Sequence, residues 1–500
     1  MTSVLSLDFG SAYTKIAIRR EPDRASELME EPSLNLDELR ICIPSVVARE
    51  QRGATPRWAF GIEAVNYKEG KDIRVFRNWK PHLFSLTEPP LAAGGPPTPV
   101  EFRQPGDVAG FLDALREAKE ERQALYQQIA GQMGMMVEDV VAVAKRWPLG
   151  VEDLRHAVAE LRPQERVPRR EPPGRLHADN GEIRDVALQY FGWLREFAGG
   201  AFRGLGVSGI DRMPLRLCVP AFSPPGPSAP LTSSEEALLN ILALAGWTVD
   251  EDCKKVDEPF ANAVGALTGG INRTWVPPHG GGKRFANMGL MFAESGLIKA
   301  LKESRADHVI LVVDVGAYTS DFAVLKFDPT DVDSRPAIRT HSVPLGVGQL
   351  DREVQGLLPA PKAAQVEAMD FGRRESLKGH IYVEASPYMT EAGPVGGGEE
   401  GSRISRYVAE FGARVADQAD HFVRGAGFER VDELVLTGGG NNIPGIRTTL
   451  RDRLQHKTTL KTHLPLRKGE PEGPRVHRLD QKLVRGASAL GAVSVYFDRL

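Results

Sequence analysis

Two segments far apart in this chain carry the same pattern of residues. Residues 5–15 read LSLDFGSAYTK, and residues 311–321 read LVVDVGAYTSD. Each segment is a hydrophobic run that ends in aspartate, followed by one apolar residue, a glycine and a second run with hydroxyl side chains. The pattern predicts a strand, a tight turn and a returning strand. A single Asp-x-Gly is an ordinary turn, but two copies require a fold that holds two such β-hairpins.

The chemistry of these hairpins matches the binding of phosphate and a cation. A tight turn exposes backbone N–H groups that can hydrogen-bond phosphate oxygens, and glycine allows a close approach. The hydroxyls of Ser11, Thr14 and Thr319 are further donors. We expect Asp8 and Asp314 to bind Mg²⁺ through its water molecules, because Mg²⁺ keeps most of its hydration in protein sites.

A third segment, LVLTGGGNNIPG at residues 434–445, places three glycines directly after a predicted strand. A helix is predicted to start after Pro444. Successive glycines let the chain lie flat against a planar group such as adenine or ribose. A flexible glycine loop is the alternative, and the order strand, loop, helix favours the nucleotide site.

In this order, the three segments resemble the phosphate-1, phosphate-2 and adenosine motifs of the superfamily of actin, hexokinase and the heat-shock ATPases. VDEPFANAVGAL (256–267) and LVRGASALGAV (483–493) resemble the first and second connecting helices of DnaK-type chaperones. Other segments similar to those chaperones are LCVPAFSP (217–224), IPSVV (43–47), FGIEA (60–64) and PLGVGQLD (344–351).

The resemblance implies an α/β fold of two actin-like lobes around a deep cleft. Each lobe would be built on a ribonuclease H-like mixed sheet, with a helical insertion in lobe I. The implied boundaries are lobe I at 1–270 with the insertion at 86–182, a loop and helix insertion at 271–305, lobe II at 306–480, and a C-terminal helix returning to lobe I at 481–500. The first insertion has proline-rich ends and two helical patterns, at about 107–132 and 137–161.

The resemblance also implies the residues of a site for ATP and Mg²⁺. The implied catalytic residues are Glu258, Asp8, Asp314 and Lys15, with Asp8 and Asp314 as the metal ligands. Glu258 would position the attacking water, and Lys15 would reach a β-phosphate oxygen as a point charge. The implied nucleotide-binding residues are Gly10, Ser11, Ala12, Tyr13, Lys15, Gly316, Ala317, Tyr318, Thr319, Gly346, Arg373, Arg374, Gly438, Gly439, Gly440 and Asn442.

Several of these positions have a second interpretation. Glu258 precedes a proline, which is also typical of a helix start, and both roles can hold together. The family's catalytic lysine comes from a segment resembling residues 75–84, where Lys80 is the nearest candidate, so either Lys15 or Lys80 contacts phosphate. Asp370, Arg373 and Arg374 match either residues that contact adenosine or a solvated helix face.

The connecting segments favour an ATP-hydrolysing molecular switch similar to a chaperone. The chain stops at Leu500 directly after the second connecting segment, so we expect no peptide-binding domain. Tyr318 stands where the chaperones have glycine, and it would crowd the γ-phosphate unless its side chain points away. Slow hydrolysis is therefore expected. A filament-forming actin-like ATPase and a nucleotide-binding scaffold with little turnover remain as alternatives.

Composition limits the partners and the compartment. The formal net charge is −3, from 63 Lys plus Arg against 66 Asp plus Glu, which gives no global electrostatic reason to bind nucleic acid or membrane. Three widely spaced cysteines, no signal-peptide pattern and no long apolar run predict a cytoplasmic protein. The insertion at 86–182 is either the surface for a protein partner or an exposed segment without a role.

Overall fold

The structure, a computed structural model, divides the chain into two compact units, Met1–Leu86 with Ala178–Leu500 as one and Thr87–His177 as the other. The residues that it describes all belong to the first unit. They are 3–20, 26–30, 40–51, 55–85, 180–204, 207, 209–221, 233–251, 253–268, 308–327, 337–455, 461–465, 476–479 and 481–494. The helices predicted near 107–132 and 137–161, and the segment 271–305, lie outside the described residues.

The strands of the described residues form four sheets. In chain order they are β1 (Val4–Phe9), β2 (Tyr13–Arg19), β3 (Glu27–Leu28), β4 (Ile43–Pro44), β5 (Val47–Glu50), β6 (Arg57–Phe60), β7 (Ile73–Phe76), β8 (Pro214–Val219), β9 (Thr248–Val249), β10 (Lys255–Asp257), β11 (His308–Val315), β12 (Ser320–Phe327), β13 (Ala337–Val343), β14 (Tyr388–Thr390), β15 (Gly393–Val395), β16 (Glu433–Thr437), β17 (Lys461–Leu464) and β18 (Val476–Arg478).

The helices of the described residues connect and cover these sheets. In chain order they are α1 (Gly61–Val65), α2 (Lys80–Ser85), α3 (Asn180–Gly204), α4 (Ser233–Leu244), α5 (Glu258–Thr268), α6 (Val347–Leu357), α7 (Ala360–Ala368), α8 (Phe371–Lys378), α9 (Gly398–Gly425), α10 (Pro444–Gln455) and α11 (Gln481–Ser494). The predicted helix starts at Glu258 and at about Pro444 are confirmed.

The first sheet has the strand order β10-β8-β1-β2-β3, with β4 paired to β2 and β9 to β8. β1 runs antiparallel to β2 and parallel to β8, and β10 runs parallel to β8. A smaller antiparallel sheet, β6-β5-β7, is formed by the chain that follows β4. Strand directions are therefore mixed within the first sheet.

The second sheet repeats this plan with the order β13-β12-β11-β16-β17-β18. β11, β12 and β13 are antiparallel, while β16 runs parallel to β11 and β17 runs parallel to β16. In both sheets the first strand is central, with an antiparallel hairpin on one side and parallel strands on the other. The α/β architecture predicted from the sequence is confirmed, and both large sheets are mixed.

Strand β11 explains how the second sheet is covered. Its residues alternate between faces, as strand geometry requires. Leu311 and Val313 belong to the apolar cluster that contains α9 and α10, whereas Ile310 and Val312 belong to the cluster formed with α5 and α11. A strand buried on both faces must be apolar throughout, which is why its sequence lacks polar alternation.

Helices α5 and α11 pack closely against each other and touch both large sheets. Glycines permit the close approach. A Cβ atom on Gly265 would lie 1.8 Å from the Ala487 carbonyl oxygen, and one on Gly491 would lie 1.7 Å from that of Ala261. Apolar side chains of α11 also pack on β1 and β2 through Val4 and Ala17. In the part of the chain that is described, no helix is long and apolar enough to cross a membrane.

Candidate functional site

Hairpins β1–β2 and β11–β12 have the same backbone turn. In the first, the Gly10 N–H donates to the Tyr13 carbonyl at 3.1 Å. In the second, the Gly316 N–H donates to the Thr319 carbonyl at 2.8 Å. The turn is thus closed by one backbone hydrogen bond at the equivalent position of both hairpins, and both hairpins predicted from the sequence are confirmed.

The two hairpins differ in charge at one matched position. Asp8 lies opposite Lys15 in the first hairpin, and Asp314 lies opposite Asp321 in the second. The Lys15 ammonium group forms an ion pair with the Asp8 carboxylate at 3.0 Å. The first hairpin is therefore close to neutral, whereas the second carries two carboxyl groups.

A second lysine and carboxylate pair lies beside the hairpins. Lys80 begins α2 and Glu258 begins α5, and the Lys80 ammonium group donates to the Glu258 carboxylate. Both residues are buried. Lys80 also acts electrostatically on Tyr318 in the second turn, where burial raises the pKa of the phenol and the ammonium charge opposes the shift. Tyr318 thus lies near the lysine and glutamate that the sequence singled out.

Asn262, one helical turn after Glu258 on α5, links α5 and α11 to the second hairpin. Its side-chain nitrogen donates to the Asp314 carboxylate and, at 3.2 Å, to the Ser488 hydroxyl of α11. Its side-chain oxygen accepts a 2.7 Å hydrogen bond from Thr437 at the end of β16. This buried amide therefore sets the orientation of the Asp314 side chain.

Asp321 is held in place by hydroxyl groups. The Thr319 hydroxyl donates to it at 2.9 Å, and the Ser342 hydroxyl of β13 donates to its other oxygen. Ser342 in turn accepts a hydrogen bond from the Ala221 N–H at 2.8 Å and donates its own N–H to the Ala221 carbonyl at 3.0 Å. Ala221 follows β8, so this group of contacts connects the ends of the two large sheets.

Burial raises the pKa values of three carboxyl groups in this cluster, those of Asp314, Glu258 and Asp321. Burial raises the pKa of Asp314 to about 7, and the charges of Asp8 and Glu258 add to the shift. Burial alone would lower the pKa of Lys15, but the adjacent Asp8 carboxylate outweighs it, so the pKa of Lys15 is raised. Four carboxyl groups and two ammonium groups therefore share one cluster that is largely buried, with Lys15 and Asp314 partly exposed, and the excess of carboxyl groups favours a bound cation or proton.

Two polar side chains near the cluster are buried without a hydrogen-bond partner among the described residues. They are the Ser11 hydroxyl in the first turn and the side-chain amide of Asn442, both its oxygen and its nitrogen. Each residue is 6% exposed. Buried polar atoms in folded proteins are almost always paired, so these two side chains are placed to bind a water molecule, an ion or a ligand.

The second turn is anchored by the start of helix α6. The N–H groups of Val347 and Gly348 donate to the carbonyls of Gly316 and Ala317, at 3.0 and 2.8 Å. A Cβ atom on Gly346 would lie 2.5 Å from the backbone of Ala317, so only glycine fits there. Gly346 therefore supports the turn sterically, which is the only contribution to the site that its contacts reveal.

The triple-glycine segment lies at the end of β16. The Gly438 N–H donates to the Val484 carbonyl of α11 at 3.1 Å, and Gly439–Asn442 form one turn of 3₁₀ helix before α10. A Cβ atom on Gly439 would lie 3.6 Å from the Arg485 guanidinium group. The segment therefore runs close to both α11 and the strand that carries Asp314.

Tyr13, at the end of the first turn, contacts helix α8. Its hydroxyl donates to the Glu375 carboxylate at 3.2 Å, and its ring meets that of Phe371 edge to face, with the centroids 5.7 Å apart. Phe371 also packs on the apolar cluster of the small sheet β6-β5-β7. Helix α8 is thus tied to the first hairpin through Phe371 and Glu375, which the sequence did not single out.

Arg373 and Arg374 have contacts of a different kind. The Arg373 side chain is exposed, with its nearest carboxylate oxygen, on Asp370, 3.5 Å away. The Arg374 guanidinium group donates to the carbonyls of Glu367 and Met369, at 2.8 and 3.2 Å. These contacts stay within the α7–α8 segment, and they do not join either arginine to the charged cluster.

The structure brings most of the predicted site residues together. Asp8, Lys15, Glu258 and Asp314 act on one another electrostatically, and both turns adjoin that cluster. Sequence reasoning missed Asn262, Asp321 and Thr437. Asp321 had a readable signal, because it ends the second copy of the repeated pattern, and Asn262 lies four residues after Glu258 on a predicted helix. Thr437 lies in the segment 434–445 that the sequence singled out, but no pattern pointed to its hydroxyl group.

No protein-family model matches this chain, and a search of curated proteins found no match either.

Proposed function

We propose that this chain binds ATP with Mg²⁺ between its two hairpins and hydrolyses it slowly, as a molecular switch with the two-lobed fold of actin-like ATPases. One observation carries the proposal. Two hairpins with the same turn and the same register each present an aspartate to one buried charged cluster. Paired hairpins of this kind suit a ligand that carries several phosphates and a metal ion.

The fold adds support. Both large sheets have a central first strand, an antiparallel hairpin on one side and parallel strands on the other. This is the order that the resemblance to ribonuclease H-like lobes implies. Helices α5 and α11, the segments that resemble the connecting helices, touch strands of both sheets.

The residues present are compatible with a nucleotide and Mg²⁺. Backbone N–H groups of the two turns would donate to phosphate oxygens, together with the unpaired Ser11 hydroxyl. In the described part of the chain, no group of three or more His, Cys, Asp and Glu side chains is placed to hold a metal directly. Mg²⁺ would therefore keep most of its water, with Asp8 and Asp314 accepting hydrogen bonds from that shell.

Hydrolysis would depend on Glu258. Burial raises the pKa of its carboxyl group, which makes it a better proton acceptor near neutral pH. Lys80 holds the carboxylate in place. In this proposal Glu258 orients a water molecule and accepts its proton, while the lysines balance the charge of the phosphates.

The test is a steady-state ATPase assay combined with calorimetric binding of Mg-ATP. Glu258→Gln should lower turnover by on the order of 100-fold and change the affinity by less than about threefold, because it removes a proton acceptor and keeps the shape. Glu235→Gln is the matched control, since Glu235 is also buried and pairs with a lysine, Lys255, at 3.0 Å. Turnover at the parent rate in Glu258→Gln would leave Glu258 only its role at the start of α5.

One observation favours a second candidate, a nucleotide-binding scaffold with little turnover. Tyr318 is half-buried in the second turn and lies within electrostatic reach of Lys80. A ring there would crowd the γ-phosphate. In that case the parent protein binds Mg-ATP but releases phosphate no faster than Glu258→Gln, and Tyr318→Gly raises turnover. Sedimentation of the same samples tests the third class, because a filament-forming ATPase would pellet with ATP.

A further inference from the structure

A chain of buried hydroxyl groups lies behind the first hairpin turn. The Tyr190 hydroxyl of helix α3 donates to Thr14 at 2.9 Å, the Thr14 and Ser45 hydroxyls are 2.9 Å apart, and the Ser45 hydroxyl donates to the Gly10 carbonyl at 2.7 Å. Tyr190, Thr14 and Ser45 all have zero exposure. None of these contacts involves solvent.

The direction of the three hydrogen bonds in this chain is determined, and the Tyr190 hydroxyl also has a second, longer acceptor in the Pro44 carbonyl at 3.4 Å. A hydroxyl group has one hydrogen to donate. Because Ser45 donates to the Gly10 carbonyl, Thr14 must donate to Ser45, and Thr14 can then only accept from Tyr190. All the donors point toward the turn, and each bond polarises the next one in the same direction.

Ser45 holds two carbonyls of the turn, because its own N–H donates to the Ala12 carbonyl at 2.9 Å. In a trans peptide the C=O and the following N–H point in opposite directions. Fixing the Gly10 and Ala12 carbonyls against Ser45 therefore aims the N–H groups of Ser11 and Tyr13 away from it. The unpaired Ser11 hydroxyl belongs to the same turn.

The chain is anchored at its far end by rigid packing. The Tyr190 ring lies in an aromatic cluster, with centroids 5.4 Å from Trp79 and 6.1 Å from Phe9. The Trp79 indole N–H donates to the Ser45 carbonyl at 3.0 Å, which fixes the serine from a second side. Helix α3 and the first turn are thus joined through groups with little freedom to move.

We propose that Ser45 and Tyr190 are positioning residues for a polyphosphate ligand, acting by holding the Ser11 and Tyr13 N–H groups in place to donate to it. The ligand chemistry rests on the proposed function, but the positioning of the turn does not. Ser45 acts directly on the turn and Thr14 one step further away, while Tyr190 acts through Thr14 and shares its hydrogen with the Pro44 carbonyl. Loss of these hydroxyls should therefore have effects that decrease in that order.

The first measurement needs no ligand. Hydrogen exchange of the Gly10 and Gly316 amides is followed by NMR in the full chain labelled with ¹⁵N-glycine. Ser45→Ala should speed exchange at Gly10 about tenfold, and Tyr190→Phe about threefold, with Gly316 unchanged. Ser6→Ala is the matched control, because Ser6 is also fully buried and donates to a carbonyl, that of Ala489, at 2.6 Å. It should leave Gly10 unchanged.

The second measurement is calorimetric titration of Mg-ATP into the same proteins. Ser45→Ala should weaken binding about tenfold, Tyr190→Phe about threefold, and the double variant no more than Ser45→Ala alone, because the groups act in series. Thr14→Val and Thr14→Ser separate loss of the hydroxyl from loss of the methyl group, and only Val should weaken binding. If Ser45→Ala does not fold, Tyr190→Phe and Thr14→Val carry the test.

The outcomes separate the two proposals. Unchanged exchange at Gly10 in Ser45→Ala or, where that protein does not fold, in Thr14→Val and Tyr190→Phe overturns the positioning role whatever the ligand is. Faster exchange with unchanged Mg-ATP affinity also overturns it. Absence of Mg-ATP binding by the folded parent protein overturns the proposed function, while the exchange data still decide whether the hydroxyl chain holds the turn.

Discussion

The two hairpins present the same turn to the cluster but are held from behind in different ways. The first is anchored by side chains, through the hydroxyl groups of Ser45, Thr14 and Tyr190. The second is anchored by backbone, through the N–H groups of Val347 and Gly348 at the start of α6. A turn held by side chains can be weakened by substitutions that remove a single hydroxyl group. A turn held by backbone hydrogen bonds keeps them in most substitutions, so it can be disturbed only by a side chain that clashes with it.

Charge is the second difference. Lys15 neutralises Asp8 in the first hairpin, while Asp321 adds a carboxyl group next to Asp314 in the second. The second hairpin therefore depends more on a bound cation or proton. The same backbone shape thus appears once with a nearly neutral pair and once with two carboxyl groups, and the two hairpins are expected to respond differently to equivalent substitutions.

The largest effect is expected from Gly346→Ala. The new Cβ atom would lie 2.5 Å from the backbone of Ala317 and of Tyr318, which forces the second turn to shift. We expect a loss of about 3 kcal/mol or more in the free energy of unfolding, measured by urea titration, and loss of Mg-ATP binding.

The control for this substitution lies on the same helix. A Cβ atom on Gly356 of α6 has no heavy atom within 4 Å, so Gly356→Ala should be neutral or should stabilise by about 0.5–1 kcal/mol. Equal stabilities for the two alanine variants would show that the second turn is not sterically anchored at Gly346.

The next effect compares the two aspartates. Asp314→Asn should weaken Mg-ATP binding on the order of 100-fold, about 2.7 kcal/mol, because the Lys15 charge that acts on Asp314 is already paired with Asp8 and Mg²⁺ would supply the counter-charge. Asp8→Asn should cost only about tenfold, since it also frees the Lys15 ammonium group to pair with phosphate. Equal losses of Mg-ATP affinity in the two variants, measured by calorimetry, would contradict the proposed effect of the charge difference between the hairpins.

A smaller effect concerns stability and pH. The pKa of Asp314 is raised to about 7 in the folded protein, so the native state binds more protons than the unfolded state between about pH 4 and pH 7. Stability should fall as the pH rises through this range. Asp314→Asn removes this dependence, so its stability advantage over the parent should grow by about 2 kcal/mol from pH 5 to pH 7 and should vanish below about pH 4. An advantage that is independent of pH would contradict this account of Asp314.

The smallest effect uses a carboxylate at the opposite end of the same strands. Burial opposes ionisation of Glu433, but the adjacent His308 and His463 side chains, with the His463 ring nitrogen 2.6 Å from the carboxylate, outweigh it and lower its pKa to about 2. Here the unfolded state takes up more protons than the folded state as the pH falls, so acid lowers the stability. The parent should lose about 0.7 kcal/mol between pH 5 and pH 4 from this group, and Glu433→Gln should lose less. A steeper loss of stability in the glutamine variant would contradict a lowered pKa of Glu433 in the folded protein.

The sequence predicted the parts of this site that are local. Asp-x-Gly turns, a strand before the triple glycine and a helix from Glu258 each depend on neighbouring residues, and the structure has all of them. The pairing of Ser45 with the first turn was not predictable, because hydrogen bonds between residues 10, 14, 45 and 190 depend on tertiary packing. The same holds for the link between Asn262 and Thr437, which lie on different elements.

Arg373 and Arg374 show a second limit of prediction from the sequence, because one pattern fitted two different roles. Basic residues on a helix pattern with an acidic neighbour were compatible with an adenosine contact and with a solvated face. In the structure Asp370 caps α8 by accepting from the Arg373 N–H, and Arg374 binds nearby carbonyls. Capping and nearby carbonyl acceptors of the helix account for these contacts. The residue types alone could not distinguish such contacts from contacts with adenosine.

The most direct test of the central claim is calorimetric titration of Mg-ATP into the full chain at pH 8, where Asp314 is ionised. The parent protein should show one saturable site per chain, and the variant with both Asp8→Asn and Asp314→Asn should show none, while circular dichroism shows that it remains folded. Unchanged binding by the double variant, or no saturable binding by the folded parent, would contradict the assignment of the two hairpins as one nucleotide site.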